Sequence, residues 1–128
     1  MKPETADYLE KARRCLQNAI KISEAEVFDV AAREAYLAAY HAAEAYIFGQ
    51  TGKAAKTHHG VRSRFSRLAR QEPRIAEEFS AFLRIGYDLK VTADYSIGSA
   101  AQTISEADAS SAIDTATRFI ECITALLI

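Results

Sequence analysis

The sequence predicts an all-α protein, an antiparallel four- to five-helix bundle forming a single domain over residues 1–128. Only two prolines and five glycines interrupt the chain, and alanine, the strongest helix former, is abundant. Apolar residues also recur at intervals of three or four through most of the sequence, which is the period of an amphipathic helix. A chain of this length buries enough apolar surface to fold without a disulfide or a metal ion.

The first two helices are predicted over about residues 4–22 and 27–48. Pro3 suits the start of the first, because the first helical position needs no backbone donor. The second carries eight alanines, whose small side chains let neighbouring helices approach closely, so we expect it at the centre of the bundle. Gly49 and Gly52 are expected to end it.

Three further helices follow in the second half of the chain. The third should begin at Thr57, whose hydroxyl can cap the free backbone N–H groups. Pro73 is expected to end that helix and to open the fourth, over about residues 73–95. The stretch SIGSAAQTI then forms a loop, and SEAD at residues 105–108 resembles a capping box at the start of the last helix.

Positive charge is concentrated in one segment of an otherwise acidic chain. Residues 51–74 hold seven basic side chains and one acid, Glu72, although the formal net charge of the whole chain is −1. The segment contains the start of the third helix, where unpaired N–H groups and the helix dipole favour an anion. The sequence therefore predicts a phosphate site here, or else a basic helix face that is simply solvated.

Several candidate site residues surround this turn. The predicted phosphate-binding set is Lys56, Thr57, His58, Gly60, Arg62, Tyr40, Lys90, Asp94 and Tyr95. His59 is adjacent to His58, and the sequence does not say which of the two faces the site. His41 and His58 are candidate catalytic residues, although an isolated histidine on a mixed helix face is more often a hydrogen-bonded core residue. Tyr36 and Tyr40 could stack on a base or pack between helices.

Other function classes lack their sequence signals. The chain has no phosphate-binding Gly-rich loop, no paired-cysteine zinc pattern and no Gly-x-Ser-x-Gly motif, and we predict neither a metal nor a cofactor. Cys15 and Cys122 are expected to be free thiols. No signal peptide or membrane-spanning segment is evident, so we expect a cytoplasmic protein without membrane contact. The apolar end of the last helix predicts a homodimer or a partner protein.

Three sequence elements together resemble the HEPN domains (higher eukaryotes and prokaryotes nucleotide-binding), most of all the small stand-alone bacterial and archaeal group. The resemblance covers REAYLAAYHAAEAYIFGQTGKAAKTHHGVRSRFSRLA and the later YDLKVTADY. Its elements are Tyr40, His41, Ala42 and Ala43, then Lys56, Thr57, His58, Gly60 and Val61, then Lys90, Ala93, Asp94 and Tyr95. Arginine is usual in the family where this chain has Lys90.

The resemblance implies a bundle that is commonly dimeric and that often works with a minimal nucleotidyltransferase, many such pairs being toxin–antitoxin modules. Other branches of the family are metal-independent RNases, in which a late helix carries an arginine followed four to six residues later by a histidine. Here Arg118 has no histidine after it, and the nearest approach is Arg33 with His41.

Three functions remain open from the sequence. The first is a module that binds a nucleotide or an RNA phosphate at the Thr57 turn and acts with a nucleotidyltransferase partner. The second is a metal-independent endoribonuclease toxin that uses His41, His58 and nearby arginine side chains. The third is a structural dimerising module whose basic face contacts an acidic protein. Whether the chain is an enzyme is therefore left open, and the missing RNase motif favours the first function.

Overall fold

A computed structural model shows a bundle of five helices among the residues it describes. It describes residues 1–95 and 104–128, and the side chains of all of these except residues 89–95. The helices are α1 (Pro3–Glu24), α2 (Phe28–Thr51), α3 (His58–Ala69), α4 (Glu77–Tyr95) and α5 (Glu106–Leu127). The predicted helical bundle is confirmed. No helix of the described residues is apolar over a length that would cross a membrane.

Helix α2 is the centre of the bundle and contacts each of the other four helices. Its eight alanines are all fully buried, as the sequence predicts. Close approach is most marked where glycine meets a larger side chain, because a Cβ built on Gly86 of α4 would lie 2.6 Å from Cδ1 of Tyr36. The alanines and this glycine bring α2 and α4 close enough for aromatic residues of both helices to meet.

The end of α2 differs from the sequence prediction. Gly49 does not end the helix, which continues to Thr51 and is closed by Gly52 in the left-handed conformation with φ 72°. The Gly52 N–H donates to the Phe48 carbonyl at 2.8 Å. Gly49 serves packing instead, because a Cβ there would lie 2.7 Å from Cδ2 of Leu127 on α5.

The start of α4 also differs, because the helix begins at Glu77 and not at Pro73. The Glu72 carboxylate accepts from the backbone N–H of Arg74 at 3.0 Å and from its Nε at 2.9 Å. The Ile75 N–H then donates to the Glu72 carbonyl, which completes a turn that buries the Ile75 side chain. The chain therefore makes a separate turn before α4 begins.

Helix α5 begins with the predicted capping box. The Ser105 hydroxyl accepts from the Asp108 N–H at 3.1 Å, and the Asp108 carboxylate accepts from the Ser105 N–H at 3.0 Å. Asp therefore fills the role that Glu or Gln usually has. Cys15 and Cys122 are free thiols, as predicted. Burial raises the pKa of the Cys15 thiol to about 11, so this thiol is protonated at neutral pH.

Candidate functional site

The first turn of α3 is capped as the sequence predicts. Thr57 has an extended backbone with φ −130° and ψ 156°, and its hydroxyl accepts from the Gly60 N–H at 2.9 Å. A Cβ on Gly60 would lie 3.0 Å from this hydroxyl oxygen, which is tighter than ordinary contact. Thr57 and Gly60 therefore form one unit in which the glycine makes room for the cap.

The two adjacent histidines have different surroundings. His58 is half-buried, and its Nδ1 lies 2.8 Å from the hydroxyl oxygen of Tyr36 on α2. His59 is exposed to solvent. Adjacent helical residues diverge by about 100°, so only one of the two can face the bundle. The structure places His58 inside and leaves His59 beside the open end of the helix.

Three tyrosines surround the His58 ring, and we call this group the tyrosine cluster. Its members are Tyr36 and Tyr40 of α2 and Tyr87 of α4, whose ring centroids lie 5.9, 4.5 and 5.3 Å from that of His58. Aromatic pairs at these separations attract each other beyond their buried area. The cluster joins three helices at one point and holds the start of α3 in place.

Burial keeps the hydroxyl groups of Tyr36 and Tyr40 protonated. Tyr36 is fully buried, and this burial raises the pKa of its phenol well above the ordinary value. Burial, followed by the nearby Glu44 carboxylate, raises the pKa of Tyr40 to about 12. The Tyr36 hydroxyl therefore keeps a proton that it can donate to Nδ1 of His58 at neutral pH.

Arg62 extends the cluster toward solvent. Its guanidinium carbon lies 4.6 Å from the ring centroid of Tyr87, which is the geometry of a cation–π contact. Lys56, just before the cap, is exposed. Of the predicted phosphate-binding cations, Arg62 thus lies on the cluster and Lys56 stands beside the first turn of α3.

His41 forms the second polar feature of the region. Its Nδ1 lies 2.7 Å from a carboxylate oxygen of Glu44, and its side chain is 19% exposed. Its ring meets that of Tyr40 edge to face, with centroids 5.5 Å apart. Tyr40 therefore contacts both His41 and His58, and the two candidate catalytic histidines lie on one continuous group of rings.

The remaining predicted site residues belong to the last part of α4. Lys90, Asp94 and Tyr95 lie on this helix, and their side chains fall outside the described residues. Four cavities of about 300 to 460 Å³ lie elsewhere on the described surface, and their lining residues do not include Lys56, Thr57 or His58. The described part of the site is thus a packed aromatic cluster beside a helix start.

Sequence reasoning missed Tyr87 as a member of this cluster. Tyr36 and Tyr40 share a helix face because they are four residues apart, and a sequence pattern can show that. Tyr87 reaches them from α4, and a sequence pattern within α2 cannot show this. The neighbouring Gly86 is the sequence feature that points to it, because the missing side chain leaves room for Tyr36. The pairing of Glu44 with His41 could be predicted from the sequence, because positions i and i+3 are neighbours on a helix.

Comparison with known proteins agrees with this architecture. The crystal structure of TT1696 from Thermus thermophilus superposes with a TM-score of 0.79 at 19% identity, covering 97% of this chain and 98% of that one, which shows a shared fold. A search of curated proteins found no significant match. The family model described as "HEPN domain" matches residues 5–126. Since that match spans nearly the whole chain, the protein belongs to the HEPN domain family.

Proposed function

We propose that this HEPN domain binds a nucleotide or an RNA phosphate at the first turn of α3 and acts with a partner of the minimal nucleotidyltransferase type. The observation that carries the proposal is the anchoring of His58 by the Tyr36 hydroxyl at 2.8 Å. This contact fixes the helix start from inside, so its outward N–H groups are held in place before a ligand arrives. Preorganised donors bind anions without an ordering cost at the moment of binding.

The groups that would contact the ligand lie on the outer side of this turn. The backbone N–H of His59 lies in the first turn, where the helix itself offers no acceptor. Lys56, just before the cap, and His59, in the first turn, both have exposed side chains. A phosphate here would accept from the amides and meet one or two positive charges. His58 then acts as a positioning residue, and Lys56 and His59 act as ligand contacts.

Ligand-induced thermal stabilisation tests this site. AMP, ATP and a short RNA are added separately, and the melting temperature is compared with that of the free protein. We expect a rise for at least one ligand, and loss of most of that rise in Lys56→Gln/His59→Gln. Lys11→Gln, a change of an exposed lysine on α1, is the control and should keep the rise. Equal rises in all three proteins would overturn the site.

The partner and the toxin–antitoxin role need their own test. We expect a minimal nucleotidyltransferase encoded beside this chain to co-purify with it when the two are co-expressed. Expression of the HEPN chain alone should then slow growth, and the partner should restore it. Growth that is unaffected by either protein would remove the toxin–antitoxin role, and absence of co-purification would remove the partner.

A second candidate function, metal-independent cleavage of RNA, is favoured by the pairing of His41 with Glu44. An ionised carboxylate accepts from Nδ1–H, which leaves Nε2 of the imidazole as a base able to take a proton from a 2′-hydroxyl group. RNA cleavage in the presence of a chelator, lost in His41→Ala and weakened in Glu44→Gln, would establish it. Unchanged RNA in the chelator, under conditions in which the RNA binds, would exclude it.

The third function, a structural dimer, is what remains if both ligand tests fail. In that case neither nucleotides nor RNA would shift the melting temperature, and no cleavage would occur. Self-association of the chain would then be the property left to measure.

A further inference from the structure

A second basic feature lies on another face of α3, apart from the tyrosine cluster. A cavity of about 300 Å³ opens where α2 ends and α3 passes beside it. Its lining consists of Thr51, Lys53, Arg64, Arg67 and Leu68. Three of these five side chains carry a full positive charge, and no carboxylate lines the cavity. All the charged side chains that line the cavity are therefore positive.

The backbone at the end of α2 brings Lys53 to this cavity. Gly52 adopts the left-handed conformation that ends α2, and Lys53 follows it directly. The Thr51 hydroxyl donates to the Ile47 carbonyl at 2.8 Å and accepts from the Lys53 N–H at 3.2 Å. The backbone of Lys53 is thus held at the end of α2, and its side-chain ammonium group takes no part in this contact. Lys53 lines the cavity together with Arg64 and Arg67 of α3.

Arg64 and Arg67 come from one face of α3. They are three residues apart, so they are neighbours on the helix surface, where like charges destabilise the helix. Arg62 differs from Arg64 by about 200° around the helix axis, which directs it to Tyr87 on the other side. The cavity and the Thr57 turn therefore use different side chains and different faces of α3.

The cations of the cavity have no acidic partner among the described residues, unlike Arg74 and Arg118. Arg74 pairs with Glu72 at 2.9 Å, and Arg118 pairs with Glu78 and Asp114. Within the described residues, no ion pair involves Lys53, Arg64 or Arg67. Three like charges around one cavity repel each other without an ion pair to a described residue, and an anion from outside would offset this repulsion.

We propose that this cavity binds closely spaced phosphate groups, either the polyphosphate of a nucleotide or successive phosphodiesters of single-stranded RNA. Two guanidinium groups offer forked donors suited to phosphate oxygens, and Lys53 adds a point charge. The volume lies at the lower end of the range for ligand sites, which suits a short chain of phosphates. Leu68 gives one apolar contact that a sugar can cover. This site is additional to the one proposed at Thr57.

The test measures binding of inorganic tripolyphosphate and of a short single-stranded RNA to the whole chain. Arg64→Gln/Arg67→Gln should weaken binding of at least one probe by about tenfold or more, because each lost charged contact is worth about that factor. Arg14→Gln/Arg84→Gln removes the same charge from exposed positions elsewhere and should change binding less than about twofold. An equal loss in the two double variants would show unspecific attraction and overturn the proposal.

The two sources of phosphate give different salt dependences. If RNA is the ligand, the slope of log affinity against log salt should fall by about 1.4 in Arg64→Gln/Arg67→Gln, since each neutralised phosphate of a single strand contributes about 0.7. If a nucleotide polyphosphate is the ligand, tripolyphosphate should compete with ATP, and RNA should not. Binding of neither probe to the unaltered chain would overturn the proposal.

Two further variants separate this site from folding defects and from a general loss of charge. Lys53→Gln changes a side chain outside α3 and should also weaken binding of the same probe. Lys11→Gln, which removes the charge of an exposed lysine on α1, should leave that binding within about twofold. The double arginine variant should melt no lower than the unaltered chain without ligand, because it removes a repulsion between neighbours. Lower melting with unchanged binding would contradict the proposal.

Discussion

The hydrogen bond between Tyr36 and His58 joins the start of α3 to the buried face of α2. Tyr36 is fully buried, and Tyr36→Phe removes its hydroxyl from the half-buried imidazole of His58. We expect the free energy of unfolding to fall by about 0.5 to 1.5 kcal/mol, the usual net contribution of one hydrogen bond. Urea denaturation measures it.

Tyr8→Phe is the matched control for this change. The Tyr8 hydroxyl makes no hydrogen bond to a described residue, and its side chain is only half-buried. Its removal should alter the free energy of unfolding by less than about 0.5 kcal/mol, as surface changes usually do. Similar losses in the two variants would mean that the phenol oxygen of Tyr36 contributes nothing specific.

At the same scale, the sequence predicted the cap of α3 but not the orientation of its histidines. Thr57 and Gly60 follow a local rule, because the hydroxyl of an N-cap threonine with an extended backbone accepts from an N–H in the first turn. The choice between His58 and His59 depends on where α2 lies relative to α3. Tyr36 and Tyr87 pack against His58 and so decide which histidine faces the bundle. Both tyrosines come from other helices, so a pattern within α3 cannot predict the choice.

Between helices, Gly86 and Gly49 both allow close packing, but against a rigid side chain and a flexible one respectively. In Gly86→Ala the new methyl group would lie 2.6 Å from Cδ1 and 3.2 Å from Cβ of Tyr36, a buried side chain with no room to move. We expect a loss of about 1 to 3 kcal/mol in the free energy of unfolding from overpacking, despite the better helix propensity of alanine.

Gly49→Ala is the contrasting variant within the same kind of helix interior. The atom that its methyl group meets is Cδ2 of Leu127, the far end of a flexible, half-buried side chain. Leu127 can rotate away, so we expect a change between zero and about 1 kcal/mol of stabilisation from helix propensity. Both variants are compared by urea denaturation, and a larger loss at Gly49 than at Gly86 would contradict this account.

Helix existence was predictable from the sequence, and helix boundaries were less so. The periodic apolar residues and the alanines indicated all five helices and the central place of α2. The start of α4 was wrong by four residues, because the Glu72 carboxylate caps a turn that competes with helix at Pro73. The role of Gly49 was misjudged because its reason lies in α5, which is distant in sequence.

For the whole molecule, buried tyrosines predict a loss of stability in alkali. Burial raises the pKa of Tyr36, Tyr40 and Tyr46, so the folded chain holds protons that the unfolded chain releases near pH 10. Their contribution is complete below that pH and is lost as pH rises toward the folded values, about 12 for Tyr40. The free energy of unfolding, measured by urea at increasing pH, should therefore fall, and Tyr36→Phe should make this fall less steep. A flat profile in the unaltered chain would contradict the prediction.

We also propose that the complete molecule is a homodimer. Ile128 at the end of α5 is 92% exposed and Ile85 on α4 is 53% exposed, so apolar surface remains on the described chain. Sedimentation equilibrium should give twice the mass of the 14.1 kDa chain, and Ile85→Glu should shift the equilibrium toward the single chain. A monomer at all protein concentrations would remove the proposal.

The tyrosine cluster has a practical consequence for spectroscopy. The chain holds six tyrosines and no tryptophan, so its intrinsic ultraviolet emission comes mainly from phenol rings. Three of those six rings surround the imidazole of His58. The unlabelled protein therefore carries its own optical reporter at the junction of three helices, and any molecule that displaced the start of α3 would change that light.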